Sequence, residues 1–585
     1  MFLRCFKPIA LLVLTLALAW PQQGDISSPG RPDSSLPQVS LPEGFDPNSR
    51  EKLGVTTDEG KVRFPTQTVL VQVPIVVKDK SGAHLHGLSK SDFHISENGR
   101  EQRIATFEEI LTTNTPLAGA SARPGEFSNL TLTDRQPRPV AVIALDAINT
   151  SLSDQANARR ELIKYLVENL DSSPVLALMI ITTRGVKVVH GLTDDPAQLV
   201  QLVKGAAGDQ PALIPFGTDV QTNAALGDIP ETPTDISNPL KAAAALQARN
   251  DAITTQVEQQ RAIEQTLNAM LAIAWSLAGV PGRKSLIWAT GGFPFAISSA
   301  EQVPGGDLGP LYERVVQALD VAQISVYPLD VRGLVATDAL ASTMASTAPK
   351  FAHQINNRAE FQRSQIQTLQ EFADMTGGKA FYDTNDLASS FKHAADDASS
   401  YYLAGYYLDT HDKNAGWREL SVKVDAKYAE VRAREGFFVT NITMNPELTR
   451  SADLAYALSS PIDCTGVPLG VRWLGTSGAG TNKKTEFMVH LPPGSLSIES
   501  TGEKKHLNFD FAAAAYPNKG DHSPVTASKT ISTTVPDAQM PSVLANGIDM
   551  KNALQLVPGD YRVRVVIRDN VTAKIGSVTT PLTVN

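Results

Sequence analysis

The sequence predicts a multi-domain chain of two fold classes: an α/β segment built on a doubly wound, mostly parallel sheet, and all-β segments on either side of it. Three observations predict this. The 585 residues exceed what one hydrophobic core usually serves, so several domains are expected. Between Pro139 and Gly378, short apolar runs alternate with amphipathic stretches, the rhythm of buried strands joined by covering helices. Before and after that segment, strand-like pieces are separated by polar turns, as in antiparallel β-structure.

Composition narrows the class further. Apolar residues at 42% and charged ones at 19% describe a globular chain. A net charge of -9 supplies no basic stripe and argues against nucleic-acid binding.

Taken in order, Met1–Trp20 carries Arg4 and Lys7, the apolar run Ile9–Leu18 and the small-residue pattern Ala17-Leu18-Ala19. This predicts a signal peptide over 1–21 and an exported chain, periplasmic or extracellular. The apolar run is too short to span a bilayer comfortably; Cys5 precedes it and is not placed to carry a lipid. No later stretch resembles a transmembrane helix. Removing the signal leaves Cys464 without a partner among the 2 Cys, so no internal disulfide is expected, and Cys464 is read as a small buried hydrophobe. Residues 22–65, rich in Pro, Ser and Gly, read as a disordered N-terminal segment.

Residues 66–111 predict a β segment. Val69–Val77 is strand-like, and Asn98-Gly99 marks a hairpin turn with Gln102–Phe107 as the returning strand. Residues 112–137 read as a linker and 138–399 as the α/β domain. Its strands are Val140–Leu145, Val175–Ile181, Val186–Val189, Ser285–Ala289, Ile324–Leu329 and Lys379–Tyr382. The first helix begins near Ser153. Others cover Pro196–Val203, a long stretch from Leu240 or Asp251 to Ala278, Leu311–Gln323, Gln362–Met375 and Leu387–Ala398. The region near 205–245 is loose in pattern and reads as an insertion. Residues 400–440 hold three strands, which with 66–111 would complete one sandwich, since neither set buries a core alone. Residues 445–585 open with a short helix and continue as a second sandwich of immunoglobulin-like kind.

The sharpest candidate for function is Asp146, at the end of the run Val140–Leu145. A carboxylate at the carboxyl end of a parallel strand stands where open α/β sheets bind ligands; taken alone, it also serves a turn into the next helix. Other chemistry finds no pattern. His84 and His86 belong to no zinc motif, Gly475–Gly480 is not a nucleophile elbow, and no phosphate-binding loop or dinucleotide fingerprint is present.

The segments Ala141–Ser151, Val280–Phe293, Leu369–Phe381, Tyr402–Tyr407 and Val431–Phe438 resemble von Willebrand factor type A domains, and more narrowly the VWFA-related secreted proteins described for Acidobacteria. The likeness covers roughly Gln67 to Phe438. It implies a von Willebrand factor A-type domain flanked by immunoglobulin-like sandwiches, and a metal-ion-dependent adhesion site. That site is degenerate here: Ile148 stands where a serine oxygen is needed, and Gly291 where an Asp is expected. The resemblance therefore implies a non-enzymatic, exported protein-binding or adhesion protein, with no cofactor and no catalytic residue. Its partner-binding face would be the strand-end surface of Asp146, Asn149, Ser151, Thr290 and Asp330, and its partner a protein or cell-surface component. Two alternatives stay open: a Mg-dependent adhesin using a shifted set, Asp146, Asn149 and Ser151, and an extracytoplasmic hydrolase.

Overall fold

The computed structural model describes residues 70–112, 125–129, 137–170, 174–205, 238–293, 308–334, 349–408, 416–439, 446–478, 482–501, 504–519 and 523–585. The predicted signal peptide, the N-terminal segment, most of the linker and residues 206–237 of the insertion lie outside them. All described residues belong to one compact unit, and no helix among them is long and apolar enough to cross a membrane.

The chain enters with β1 (Leu70–Lys78) and a 3-10 turn at Lys90–Asp92, then β2 (Phe93–Glu97) folds onto β3 (Arg100–Gln102). Asn98 and Gly99 between them hold φ of 47° and 75°, the left-handed backbone that a two-residue hairpin requires. The return expected over Gln102–Phe107 divides instead into β3 and β4 (Thr106–Leu111), which joins a different sheet. β5 (Glu126–Ser128), within the predicted linker, pairs far down the chain.

Next come β6 (Val140–Asp146), α1 (Leu152–Glu168), β7 (Val175–Thr182), β8 (Gly185–Thr193), α2 (Pro196–Gly205) and α3 (Pro239–Leu277). β9 (Lys284–Thr290), α4 (Gly309–Val321), β10 (Ile324–Asp330), α5 (Pro349–Thr376) and α6 (Leu387–Asp396) follow. The strands line up as β10-β9-β6-β7-β8. Both faces are covered: α3, α4 and α5 pack around Trp288 and Phe372 on one side, and α1, α2 and α6 around Leu162 and Phe391 on the other. The strand expected over Lys379–Tyr382 reduces to a single bridge between Phe381 and Leu329.

β11 (Ser400–Tyr407), β12 (Gly416–Val424), β13 (Glu430–Arg432) and β14 (Gly436–Val439) return to the first strands. They form two sheets, β13-β1-β11-β4 and β14-β12-β2-β3, facing across a core of Val73, Ile75, Phe93, Tyr402 and Leu420. After α7 (Pro446–Ser459), the chain adds β15 (Gly470–Ser477), β16 (Lys483–Leu491), β17 (Glu499–Thr501), β18 (Lys504–Pro517) and β19 (Val525–Val535). It ends with α8 (Met540–Asn546), β20 (Ile548–Leu556), β21 (Gly559–Asp569) and β22 (Ile575–Val584). These strands make the sheet β20-β16-β15-β5 and the sheet β17-β18-β21-β22, with β19 on β18. Phe487, Val489, Phe509 and Val563 fill the space between the two.

The fold class expected from the sequence is thereby corrected. Among the described residues the protein is mostly β, 41% strand against 32% helix, in five mostly antiparallel sheets. A doubly wound, mostly parallel von Willebrand A-type sheet is not its organising architecture. Among the described strands, parallel pairing joins only β6 with β7 and β9, and β9 with β10, with the lone Leu329–Phe381 bridge beside β10 also parallel, in a mixed sheet whose edge strand β8 runs antiparallel to β7. The physical reason is connection length. The tight turn between β7 and β8 reverses the chain, whereas a parallel neighbour needs a long crossover. The β segments read as flanks, together with β5 from the predicted linker, supply the other four sheets.

Candidate functional site at the carboxyl ends of three parallel strands

β6, β9 and β10 end together: Asp330 is in register with Thr290, and Leu145 with Ala289. Asp146, Thr290 and Asp330 thus close three adjacent strands, with Asn149 and Ser151 on the loop from β6 to α1.

Asp146 is 1% exposed, and its carboxylate is fully engaged. One oxygen accepts the backbone N–H of Ile148 at 2.9 Å and of Asn149 at 3.0 Å, an Asx turn that swings the chain out of the sheet. The other accepts Asn149 Nδ2 at 2.8 Å, Thr290 Oγ1 at 3.0 Å and Trp288 Nε1 at 3.1 Å. Five donors on two oxygens use the lone-pair capacity of a carboxylate. Burial pushes the Asp146 carboxyl above its ordinary range, and the bonds from Asn149, Thr290 and Trp288 pull it back.

The neighbours lock this arrangement. Asn149 Nδ2 also donates to Thr266 Oγ1 of α3 at 2.9 Å, while Asn149 Oδ1 is buried without a hydrogen bond. The amide of Gly291 donates to Thr150 Oγ1 at 2.9 Å. Ser151 caps α1, accepting from the Asp154 amide at 3.2 Å and donating to its carboxylate at 2.7 Å. Asp330, 2% exposed, is gripped by the Arg332 guanidinium at 2.9 and 2.6 Å and by the Arg332 amide at 3.0 Å. Arg332 in turn donates to Gln365 Oε1 at 2.7 Å.

Of the five predicted face residues, Asp146, Thr290 and Asp330 are buried and serve the loops from within. Asn149 is half-buried and Ser151 exposed. A pocket of about 20 Å³ between Asp146, Thr150, Gln155 and Arg159 has room for roughly one water. The exposed apolar residues of this rim are Leu152 at 49% and Leu334 at 62%.

The residues present do not fit an octahedral Mg²⁺ site, which needs several fixed oxygens around one point. Asp146 is committed to five donors, Ser151 to its cap, and Ile148 is packed in the core. A side chain at Gly291 would put its Cβ 2.8 Å from the Asn149 carbonyl oxygen, so the missing Asp has no room. Among the described residues, no group of three or more His, Cys, Asp or Glu is placed to hold a metal. His84 and His86 lie by the N-terminal sandwich, with ring centroids 6.4 Å apart; burial and then the nearby Lys78 lower His84 to about 4.

Sequence reasoning missed Trp288, Thr266, Arg332 and Gln365. Trp288 sits in an apolar run and reads as core, and Thr266 and Gln365 come from helices distant in sequence. Arg332, two residues after Asp330, is the one partner whose spacing carried a signal. In comparisons with known proteins, the chain matches no family model and no curated protein.

Proposed function

We propose that this is an exported, non-enzymatic protein that binds a protein or cell-surface component through the loop rim above β6, β9 and β10. One observation carries the reading: the carboxylates at that edge are consumed by internal hydrogen bonds, while Leu152 at the start of α1 and Leu334 on the loop after β10 stand exposed. A rigid rim with apolar contacts suits protein recognition; a saturated, buried carboxylate suits neither general-base chemistry nor a cation. The likeness of Ala141–Ser151, Tyr402–Tyr407 and Val431–Phe438 to VWFA-related secreted proteins supports the same role.

The test is capture of cell-envelope components by the mature chain and by the double variant Leu152→Asp, Leu334→Asp, with and without EDTA. Retention by the wild type that is lost in the variant, at equal thermal midpoint and unaffected by EDTA, fits the proposal. Binding that survives both substitutions moves the contact off this rim, and binding abolished by EDTA favours the Mg-dependent alternative.

A further inference from the structure

In the C-terminal sandwich, Val563 and Val565 face the core, so the alternation of β21 puts Arg562 and Arg564 on its other side. There, α7 and its trailing turn leave a pocket of about 140 Å³ lined by Leu458, Pro461, Asp463, Tyr516, Arg562 and Arg564. Cavities of roughly this size hold a six-carbon ring.

The two arginines differ in what they have left to give. Arg564 is 4% exposed and largely committed: it donates to Thr579 Oγ1 at 3.0 Å, to Ser577 Oγ at 2.9 Å and to the Ile462 carbonyl, while its buried Nε has no hydrogen-bond partner. It also lies 3.4 Å from Asp463. Asp463 is held by the Thr579 hydroxyl at 2.7 Å and amide at 3.1 Å. Arg562 is exposed and makes no ion pair with a described carboxylate. Its guanidinium lies over the Tyr516 ring, 5.4 Å from the centroid. Tyr516 is itself fixed by its hydroxyl donating to the Leu458 carbonyl at 3.0 Å. Stacking orients the Arg562 fork while leaving its N–H donors free.

We propose that this pocket binds a monoanionic carboxylate on a short alkyl arm, the Arg562 fork taking the carboxylate and Leu458, Pro461 and Tyr516 the arm. Two arginines against Asp463 leave one net positive charge, which a monoanion neutralises; a phosphate dianion would overfill it beside Asp463. The planar fork matches a carboxylate in bidentate fashion. The carboxylate belongs either to a free short-chain acid or to an acidic side chain of another protein.

Saturation-transfer NMR on the full chain, at matched ionic strength, tests this with butyrate, N-acetyl-glutamate amide and inorganic phosphate. Binding of either carboxylate with a millimolar Kd, weaker phosphate binding, and at least about a tenfold loss in Arg562→Ala at unchanged thermal midpoint support the site. Butyrate alone assigns the free acid, and capped glutamate the protein side chain. No carboxylate binding at tens of millimolar, equal binding by Arg562→Ala, or tighter binding of phosphate overturns it.

Discussion

Asp146 joins β6, β9 and the loop to α1 through one side chain, so its charge state is a structural quantity. Asp146→Asn keeps the shape but turns an amide N–H₂ against Asn149, Trp288 or Thr290. Leaving buried donors unpaired costs roughly 1–3 kcal/mol each, so a loss of about 3 kcal/mol is expected in equilibrium denaturation. Gly291→Asp, which restores the missing carboxylate, forces its Cβ against the Asn149 carbonyl 2.8 Å away. Its thermal midpoint is expected to fall, and to be the same in millimolar Mg²⁺ and in EDTA; a rise in Mg²⁺ would show a working site. Lys284 carries a pH signature. Its Nζ donates to the carbonyls of Val280 at 2.6 Å and Gly282 at 2.7 Å, and burial drops its amine from 10.5 to about 7. Between those values the unfolded chain holds a proton that the folded one lacks. Its contribution to stability therefore rises with pH across that window and is lost as pH falls through 7. Lys284→Met removes this slope, measurable as the difference between the two stability–pH curves.

At the scale of elements, burial and caps decide where each one begins and ends. Ser151 starts α1 by satisfying the Asp154 amide, so Ser151→Ala is expected to cost about 1 kcal/mol in thermal unfolding; no change would show that Ser153 or water replaces the cap. Elements with one strong periodicity were legible. Val140–Leu145 became β6, and the long apolar face through Ile263, Leu267 and Leu271 became α3, begun at its earlier candidate start by Asn238 and Pro239. Divided strands were not. Glu430–Phe438 reads as one strand, yet Ala433–Glu435 bends it so that β13 joins β1 and β14 joins β12. Nor are β20 and β5 legible: Asn552 breaks the apolar alternation of β20, and a strand as short as β5 has no period to read.

At the scale of the whole molecule, strands from both ends of the first 440 residues hold one another, β1 lying between β11 and β13. Lys78 of β1, Asp397 just after α6 and Arg432 of β13 meet in one ion cluster, with side-chain exposures of 5%, 1% and 14%. Such a cluster adds little net stability when intact, but removing one partner strands the others in low dielectric. Asp397→Ala is expected to cost about 3–5 kcal/mol, read as a lower denaturation midpoint; Asp397→Asn, which keeps a hydrogen-bond acceptor, should lose less. If Asp397→Ala matches the wild type, water reaches the cluster and the tie is weak.

The sequence by itself determined where apolar runs are buried, where turns fall, and that a carboxylate ends the strand Val140–Asp146, because these follow from local pattern and chemistry. It also exposed the gaps in the adhesion motif, Ile148 and Gly291, since both are single-residue identities. Only the tertiary structure decided which strands pair and in what direction, and hence that the protein is mostly antiparallel β: pairing depends on contacts distant in sequence and on connection geometry. It also decided the role of Asp146. Whether a strand-end carboxylate faces a ligand or is spent inside depends on Trp288, Thr290 and Asn149 converging on it, and nothing local in the sequence places those donors together.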